Sequence, residues 1–178
     1  MATERAYKKR IADIILERCL QGKGAILIEG PKWCGKTTTA EQFARSVLDL
    51  GNSAILANAK TALQVNPDIL LNGDTPRLID EWQLMPPIWD MIRSEVDRRG
   101  NEGQFLLTGS SMPLDPNSTH HSGTGRIGRI RMRTMSLWES GESNGSVSMD
   151  DLFAGKEMPP QNSSLTIEDI VYLICRGG

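Results

Sequence analysis

The chain has 178 residues, 39% of them hydrophobic, which is enough for one hydrophobic core and leaves little room for a second ordinary domain. Its 20 basic and 22 acidic residues give a net charge of −2, which excludes a polybasic protein held to nucleic acid by charge alone. No apolar run approaches the ~18 residues of a membrane span, and the first residues lack the apolar core of a signal peptide. Three widely spaced cysteines form no C-x-x-C pair. These features predict a cytoplasmic protein without a membrane segment or a zinc ribbon.

The first elements in chain order are an amphipathic helix over residues 7–19 and a buried strand over residues 25–28. In that helix the apolar residues at helical spacing are Ile11, Ile14, Ile15 and Cys19. Helical spacing recurs over residues 37–50 and 88–99, and short apolar runs predict further strands at 54–56, 78–80, 105–108 and 130–135. Strands that alternate with helices of this length predict an α/β fold with a parallel sheet and right-handed crossovers.

Two stretches without periodicity, residues 110–128 and 140–148, predict loops, the first of them exposed and mobile. A final helix follows Thr166, which can cap it together with Asp169, and its apolar stripe consists of Ile167, Ile170, Val171 and Ile174. We therefore expect a core domain over residues 1–155, followed over residues 156–178 by a linker and the start of a truncated C-terminal region.

Residues 30–37 read GPKWCGKT and match the pattern G-x-x-x-x-G-K-[ST] between an apolar strand and a helix. Glycines at both ends let the backbone N–H groups turn toward phosphate oxygens, while Lys36 reaches the β and γ phosphates and Thr37 can ligate Mg²⁺. Cys34 is either a redox-sensitive thiol or simply a small loop residue. The predicted nucleotide-binding loop consists of Gly30, Pro31, Lys32, Trp33, Cys34, Gly35, Lys36, Thr37 and Thr38.

The second half of a nucleotide site is a carboxylate at the end of a neighbouring strand, and Asp80 and Glu81 supply it. Asp80 would hold Mg²⁺ through water, and Glu81 would orient and deprotonate the attacking water. Thr108 ends the next strand, where its hydroxyl would contact the γ phosphate or the attacking water, or would merely open a turn.

At this point the chain resembles the bacterial and archaeal AAA-type ATP-binding proteins whose ATPase domain precedes a C-terminal domain of unknown function. The resemblance is carried by Arg5-x-Tyr7-x-x-Arg10-Ile11, Gly24-Ala25 before GPKWCGKTTTA, LIDEWQ over 78–83, LLTGSS over 106–111, Gly125-Arg126, and Met135-Ser136-Leu137-x-Glu139.

This resemblance implies a P-loop NTPase core, with about five parallel strands in the spatial order 5-1-4-3-2 and helices on both faces. It implies Mg²⁺-dependent binding and hydrolysis of ATP, coupled to rearrangement of a loop or partner, with nucleotide-site roles for Lys36, Thr37, Asp80 and Glu81. Arg126 occupies a position suited to an arginine finger, acting in cis or, in a homo-oligomer, in trans. Thr108 stands where such sensor strands commonly end in Asn. A C-terminal domain normally follows, so we expect this chain to be the N-terminal part of a longer protein.

Four arginines in eight residues form a local basic stripe that allows three interpretations. Arg126 is a nucleotide contact, the stripe binds nucleic acid, or the residues form a solvated edge. The corresponding alternative function is a nucleotide-dependent adaptor for nucleic acid or protein in which hydrolysis is vestigial. The stripe consists of Arg126, Arg129, Arg131 and Arg133.

Overall fold

The computed structural model describes residues 6–109, 125–157, 160 and 162–176. Its contacts divide into a core unit, Ile11–Arg133, and a flanking unit formed by the residues on either side of it. The domain prediction from sequence, a core over residues 1–155 and a further region over 156–178, stays a prediction. Most of the loop predicted over residues 110–128 lies outside the described residues.

The core unit is built on a five-stranded parallel sheet with the order β2-β3-β4-β1-β5. This order is the predicted 5-1-4-3-2 arrangement read from the other side, so the fold prediction is confirmed. Continuous apolar sequence explains why β1 and β4 occupy the interior of the sheet, where both faces are covered. The strands are β1 (Ala25–Glu29), β2 (Ser46–Asp49), β3 (Arg77–Asp80), β4 (Phe105–Gly109) and β5 (Ile127–Arg131).

Helices cover both faces of this sheet, and successive residues of β1 face opposite ways. Ala25 and Leu27 join a cluster with residues of α3 and α4, while Ile26 and Ile28 join a second cluster with Leu16 of α1 and Ala40 of α2. The helices are α1 (Ile11–Leu20), α2 (Lys36–Glu41), α3 (Ser53–Val65) and α4 (Pro87–Arg99), with 3-10 helices at Pro67–Leu71 and Trp82–Leu84.

Most of the apolar stripe predicted for α1 does not pack on the sheet. Leu16 is fully buried, whereas Ile11, Ile14 and Ile15 are each about half exposed (48%, 54% and 46%). Helical spacing was therefore the right signal for the element, but of the predicted stripe it is Cys19 that packs against the core, beside Ala12 and Leu20.

The long helix predicted over residues 37–50 is wrong, and so is the strand predicted over 54–56. α2 ends at Glu41, and β2 follows at Ser46–Asp49, paired in parallel with β3. Residues 54–56 lie in α3, because the Asn52 side chain accepts hydrogen bonds from the backbone N–H groups of Ala54 and Ile55 and starts a helix there.

β5 begins at Ile127, three residues before the predicted strand, and ends at Arg131. Gly128, assigned to a loop from its composition, pairs with Ile26 in the ladder. A Cβ atom at position 128 would lie 3.0 Å from the Ile26 Cδ1 atom, so this glycine serves close packing within the sheet.

The flanking unit contains three short helices, α5 (Leu137–Ser140), α6 (Met149–Phe153) and α7 (Ile167–Arg176). Within its described residues the buried residue is Arg10, whose Nε donates to Glu139 at 3.0 Å. The predicted cap of α7 is present, since Thr166 Oγ1 accepts from the backbone N–H of Asp169 at 3.2 Å. Among the described helices, none is both long and apolar enough to cross a membrane.

A charged cluster at the C-terminal end of α4 makes the stability of the core unit depend on pH. Arg98 and Arg99 each donate to the Glu95 carboxylate at 2.5 Å. These contacts, chiefly the hydrogen bond from Arg98, lower the pKa of Glu95 to about 2 from an ordinary 4.5. Because the folded pKa is depressed, this stabilisation is present above pH 4.5 and is lost as the pH falls toward 2.

We predict that Glu95→Gln lowers the free energy of unfolding at pH 7 and flattens its decline between pH 4.5 and the acid limit. Urea unfolding at several pH values measures both effects, with the exposed Glu102→Gln as the matched control. Parallel stability curves for Glu95→Gln and wild type would show that the arginine contacts contribute nothing to folding.

Candidate nucleotide-binding site

The sequence-predicted nucleotide residues lie at one edge of the sheet. In a parallel sheet all strands end at the same edge, and residues 30–35, Asp80 and Gly109 follow or close β1, β3 and β4 there. This edge, the carboxyl edge, is also where ligands bind in open α/β sheets.

The loop between β1 and α2 turns tightly, with both glycines at demanding positions. Gly35 has φ +97°, in the left-handed region that favours glycine, and immediately precedes α2. A Cβ atom at Gly30 would overlap the carbonyl oxygen of Met132, just beyond β5, so only glycine fits against that backbone. Trp33 also has a left-handed backbone (φ +65°), and its side chain is fully exposed at the tip of the loop.

Lys36 is buried, and its ammonium group lies inside the curve of this loop. Its Nζ atom donates to the carbonyl oxygens of Gly30 at 3.0 Å and Pro31 at 2.8 Å. These bonds hold the ammonium at the start of the loop, where the motif would use it to bind phosphate. Cys34 is also buried, with its Sγ atom 3.9 Å from the Met132 carbonyl, which fits a small packed loop residue.

Asp80 is the meeting point of three segments. The Thr37 hydroxyl donates to its two carboxylate oxygens at 3.0 and 3.2 Å, and the Thr108 hydroxyl donates to Oδ1. Thr108 is fully buried, so its side chain points at Asp80 rather than into an open turn. Three residues predicted separately from sequence are thus in direct hydrogen-bond contact.

Glu81 leaves the strand at a sharp corner. Its backbone is left-handed (φ +53°), and its N–H donates to Asp80 Oδ1 at 3.2 Å. A Cβ atom at Gly51, just after β2, would lie 3.6 Å from Glu81 Cγ, so this side chain lies on the β2 side of Asp80. One carboxylate oxygen, Oε2, accepts a hydrogen bond from the Gln83 side chain.

These oxygens fit a small, hard cation. Mg²⁺ prefers oxygen ligands, keeps several waters and is bound by one or two protein groups beside substrate phosphates. The Thr37 hydroxyl and the Asp80 carboxylate, 3.0 Å apart, offer that donor set next to the buried Lys36. Across the described residues there is no cluster of three or more His, Cys, Asp or Glu side chains that could hold a metal ion.

Arg126 lies at the opposite, amino edge of the sheet. It immediately precedes β5, and its carbonyl accepts from the Ala25 N–H at the start of β1, so the length of β1, about 13 Å, separates it from the phosphate loop. Its Nε atom donates to Asp97 at 2.6 Å, a hydrogen bond that raises the pKa of Arg126 above its ordinary value. Of the two actions left open for Arg126, cis or trans, this position is the less suited to cis action on the nucleotide of the same core unit.

The rest of the arginine stripe is partly occupied by other contacts. Arg129 lies 3.8 Å from the Glu29 carboxylate, and its guanidinium is 5.7 Å from the ring centre of Trp89. Arg131 and Arg133 are exposed. Intramolecular partners for Arg126 and Arg129 reduce the positive charge available to a nucleic acid.

Gln83 and Gly109 are the residues of this edge to which the sequence reasoning gave no role. Gln83 stands two residues after Glu81, a spacing at which side chains of an α-helix do not face each other. The 3-10 helix at Trp82–Leu84 folds the chain back and brings the two side chains together. Pro86 disfavours a helical conformation at Met85, and this was the feature of the sequence from which such a turn could have been predicted.

Comparison with known proteins identifies a family for most of this chain. A family model described as an AAA domain matches residues 22–140, which include every strand of the sheet and the whole of the carboxyl edge.

Two curated relatives align over 163 residues at 27% identity, both of them uncharacterized proteins, one from Mycobacterium bovis and one from Mycobacterium tuberculosis. The alignment covers 91% of this chain and 36% of each relative, so the chain spans about a third of their length. Among solved structures, that of C. elegans PCH-2 is 15% identical with a TM-score of 0.34, and the match covers 85% of this chain and 49% of that one.

Proposed function

The chain belongs to the family of AAA domains, and on that premise we propose that it binds ATP with Mg²⁺ and hydrolyses the γ phosphate. The observation that carries the proposal is the convergence of Thr37, Asp80 and Thr108 beside the buried Lys36. A buried carboxylate is costly unless it is hydrogen-bonded or faces a cation, and this one has hydroxyl donors on two sides.

Each residue at the carboxyl edge has a distinct task in this proposal. The Lys36 ammonium would exchange its two carbonyl partners for phosphate oxygens, and the Thr37 hydroxyl and the Asp80 carboxylate would hold the metal. Glu81 accepts a proton from the attacking water. When bound, Mg²⁺ neutralises charge that develops on the phosphates. The six-residue α2 contributes little dipole, so the affinity rests on the loop and Lys36.

Lys36→Ala should weaken binding of Mg²⁺-ATP at least about tenfold, because a charge-assisted contact to phosphate is lost. Isothermal titration calorimetry measures this, with Lys60→Ala, an exposed lysine of α3 outside the phosphate loop, as the matched control. A folded Lys36→Ala protein that binds ATP as tightly as wild type would remove the phosphate-site assignment.

Glu81→Gln should retain ATP binding and lose most turnover, about 10²-fold or more, because the amide keeps the shape of the carboxylate but accepts no proton. Steady-state phosphate release and ATP titration are measured on the same preparation, with Glu102→Gln as an exposed control. Wild-type turnover in Glu81→Gln would assign the base to another residue.

The same assay separates the two functions considered from the sequence. A wild-type chain that binds ATP and releases no phosphate, yet changes its affinity for DNA, RNA or a protein with nucleotide, would be an adaptor. Hydrolysis that disappears in Glu81→Gln favours the ATPase.

We also propose that any finger role of Arg126 is exerted in trans, since this residue lies across the sheet from its own phosphate loop. Specific ATPase activity should then rise with protein concentration and fall in Arg126→Ala, while ATP affinity stays the same. The measurement is a hundredfold dilution series of both proteins. Activity that is independent of concentration and unchanged in Arg126→Ala would leave the arginine as a partner of Asp97 alone.

A further inference from the structure

We propose that Gln83 is the positioning residue for the Glu81 carboxylate and that it links this carboxylate to the end of β4. The inference rests on the proposed hydrolysis, in which Glu81 acts as the base. Gln83 does not itself contact nucleotide in this proposal; it acts through Glu81.

The first support is the contact between the two side chains. Gln83 is 7% exposed, and its Nε2 donates to Glu81 Oε2. The backbone N–H of Leu84 donates to the Glu81 carbonyl at 3.0 Å, which closes the turn that brings residues 81 and 83 together. The bond is therefore made by a buried amide on a fixed turn, not by two free surface side chains.

The second support is the packing of the same amide against β4. A Cβ atom at Gly109, the last residue of β4, would overlap Gln83 Oε1 and lie 3.1 Å from the Trp82 indole. Gly109 does not have a positive φ, so its backbone conformation is open to other residues. Glycine fits here because a larger residue would occupy the space taken by the Gln83 amide. One end of the amide thus holds Glu81 and the other rests on β4.

The geometry explains why Glu81 needs such a residue. Its side chain has three rotatable bonds, and its backbone turns away from the strand at φ +53°. Gln83 takes one carboxylate oxygen, Oε2, which leaves Oε1 for a water molecule. A base whose orientation is fixed by a hydrogen bond keeps the geometry that proton transfer requires.

The end of β4 therefore contacts both carboxylates of the site. Thr108 donates directly to Asp80, and the next residue, Gly109, packs against the amide that holds Glu81. A structural change at this end of β4 would therefore affect both the proposed metal ligand Asp80 and the proposed base Glu81.

The principal test is Gln83→Met, which removes the donor and keeps a long side chain in the buried site. We expect kcat for ATP hydrolysis to fall about ten- to hundredfold, with Kd for Mg²⁺-ATP within about twofold of wild type. Gln104→Met is the matched control, because Gln104 is equally buried but lies at the amino edge of the sheet, and it should leave kcat unchanged.

A double-mutant cycle distinguishes positioning from general destabilisation. In a Glu81→Gln background, Gln83→Met should have no further effect on kcat, because the group that it positions no longer accepts protons. Equal losses in both backgrounds, or an unchanged kcat in the single variant, would overturn the inference.

Gly109→Ala provides a second route that leaves Gln83 itself intact. The added methyl group should displace the amide and lower kcat to about the level of Gln83→Met, and the two changes together should be less than additive. Gly22→Ala, at an open position, is its control. If hydrolysis is lost in Glu81→Gln but unchanged in Gln83→Met and Gly109→Ala, this inference is refuted and the proposed function stands. If the wild-type protein does not hydrolyse ATP, the proposed function itself is refuted.

Discussion

The carboxylate of Asp80 is the constraint on which the arrangement of this protein depends. It is 9% exposed and accepts hydrogen bonds from Thr37 and Thr108, which lie 43 and 28 residues away in the sequence. A carboxyl group in such a place must be supplied with hydrogen-bond partners, so the start of α2 and the end of β4 are held against the end of β3. The phosphate loop is fixed by the same contact, because Thr37 directly follows Lys36.

Because all strands are parallel, the two edges of the sheet carry different chemical groups. Every strand delivers its last residue to the edge that carries Asp80, and every strand begins at the edge that carries Arg126. The carboxyl edge therefore carries the oxygens of Asp80 and Glu81, the glycine backbone of the phosphate loop and the buried Lys36 ammonium, with the exposed Arg131 at the end of β5. The amino edge carries exposed ion pairs such as that between Arg126 and Asp97, which are worth little energetically in water.

The elements that sequence reasoning found are those with strong local signals. β1 and β4 are continuous apolar runs, and the phosphate loop has a spacing of glycine, lysine and threonine that few other structures produce. The order of the strands came from family resemblance, since periodicity carries no information about which strands are neighbours. Asp80 was predictable because a carboxylate directly after an apolar strand has an identifiable position in a parallel sheet.

The errors have equally specific causes. Residues 46–49 and 54–56 each hold only two or three consecutive apolar residues, and such short runs do not distinguish helix from strand. The Asn52 side chain caps the helix that contains the second run, and pairing with β3 makes residues 46–49 a strand. Gln83 and Gly109 escaped notice because the 3-10 helix after β3 meets the last residue of β4 only when β3 and β4 are placed side by side.

The exposed Trp33 gives the phosphate loop an optical property that the rest of the core unit lacks. Trp82 and Trp89 are buried and pack against each other with their ring centres 4.9 Å apart, whereas the Trp33 indole is fully exposed to solvent. Emission from Trp33 will therefore lie at longer wavelength and will be reached by collisional quenchers that the buried pair excludes. Trp138 of the flanking unit is also exposed. In a variant that lacks Trp138, the solvent-accessible tryptophan fluorescence of the described residues comes from the loop that the nucleotide would occupy.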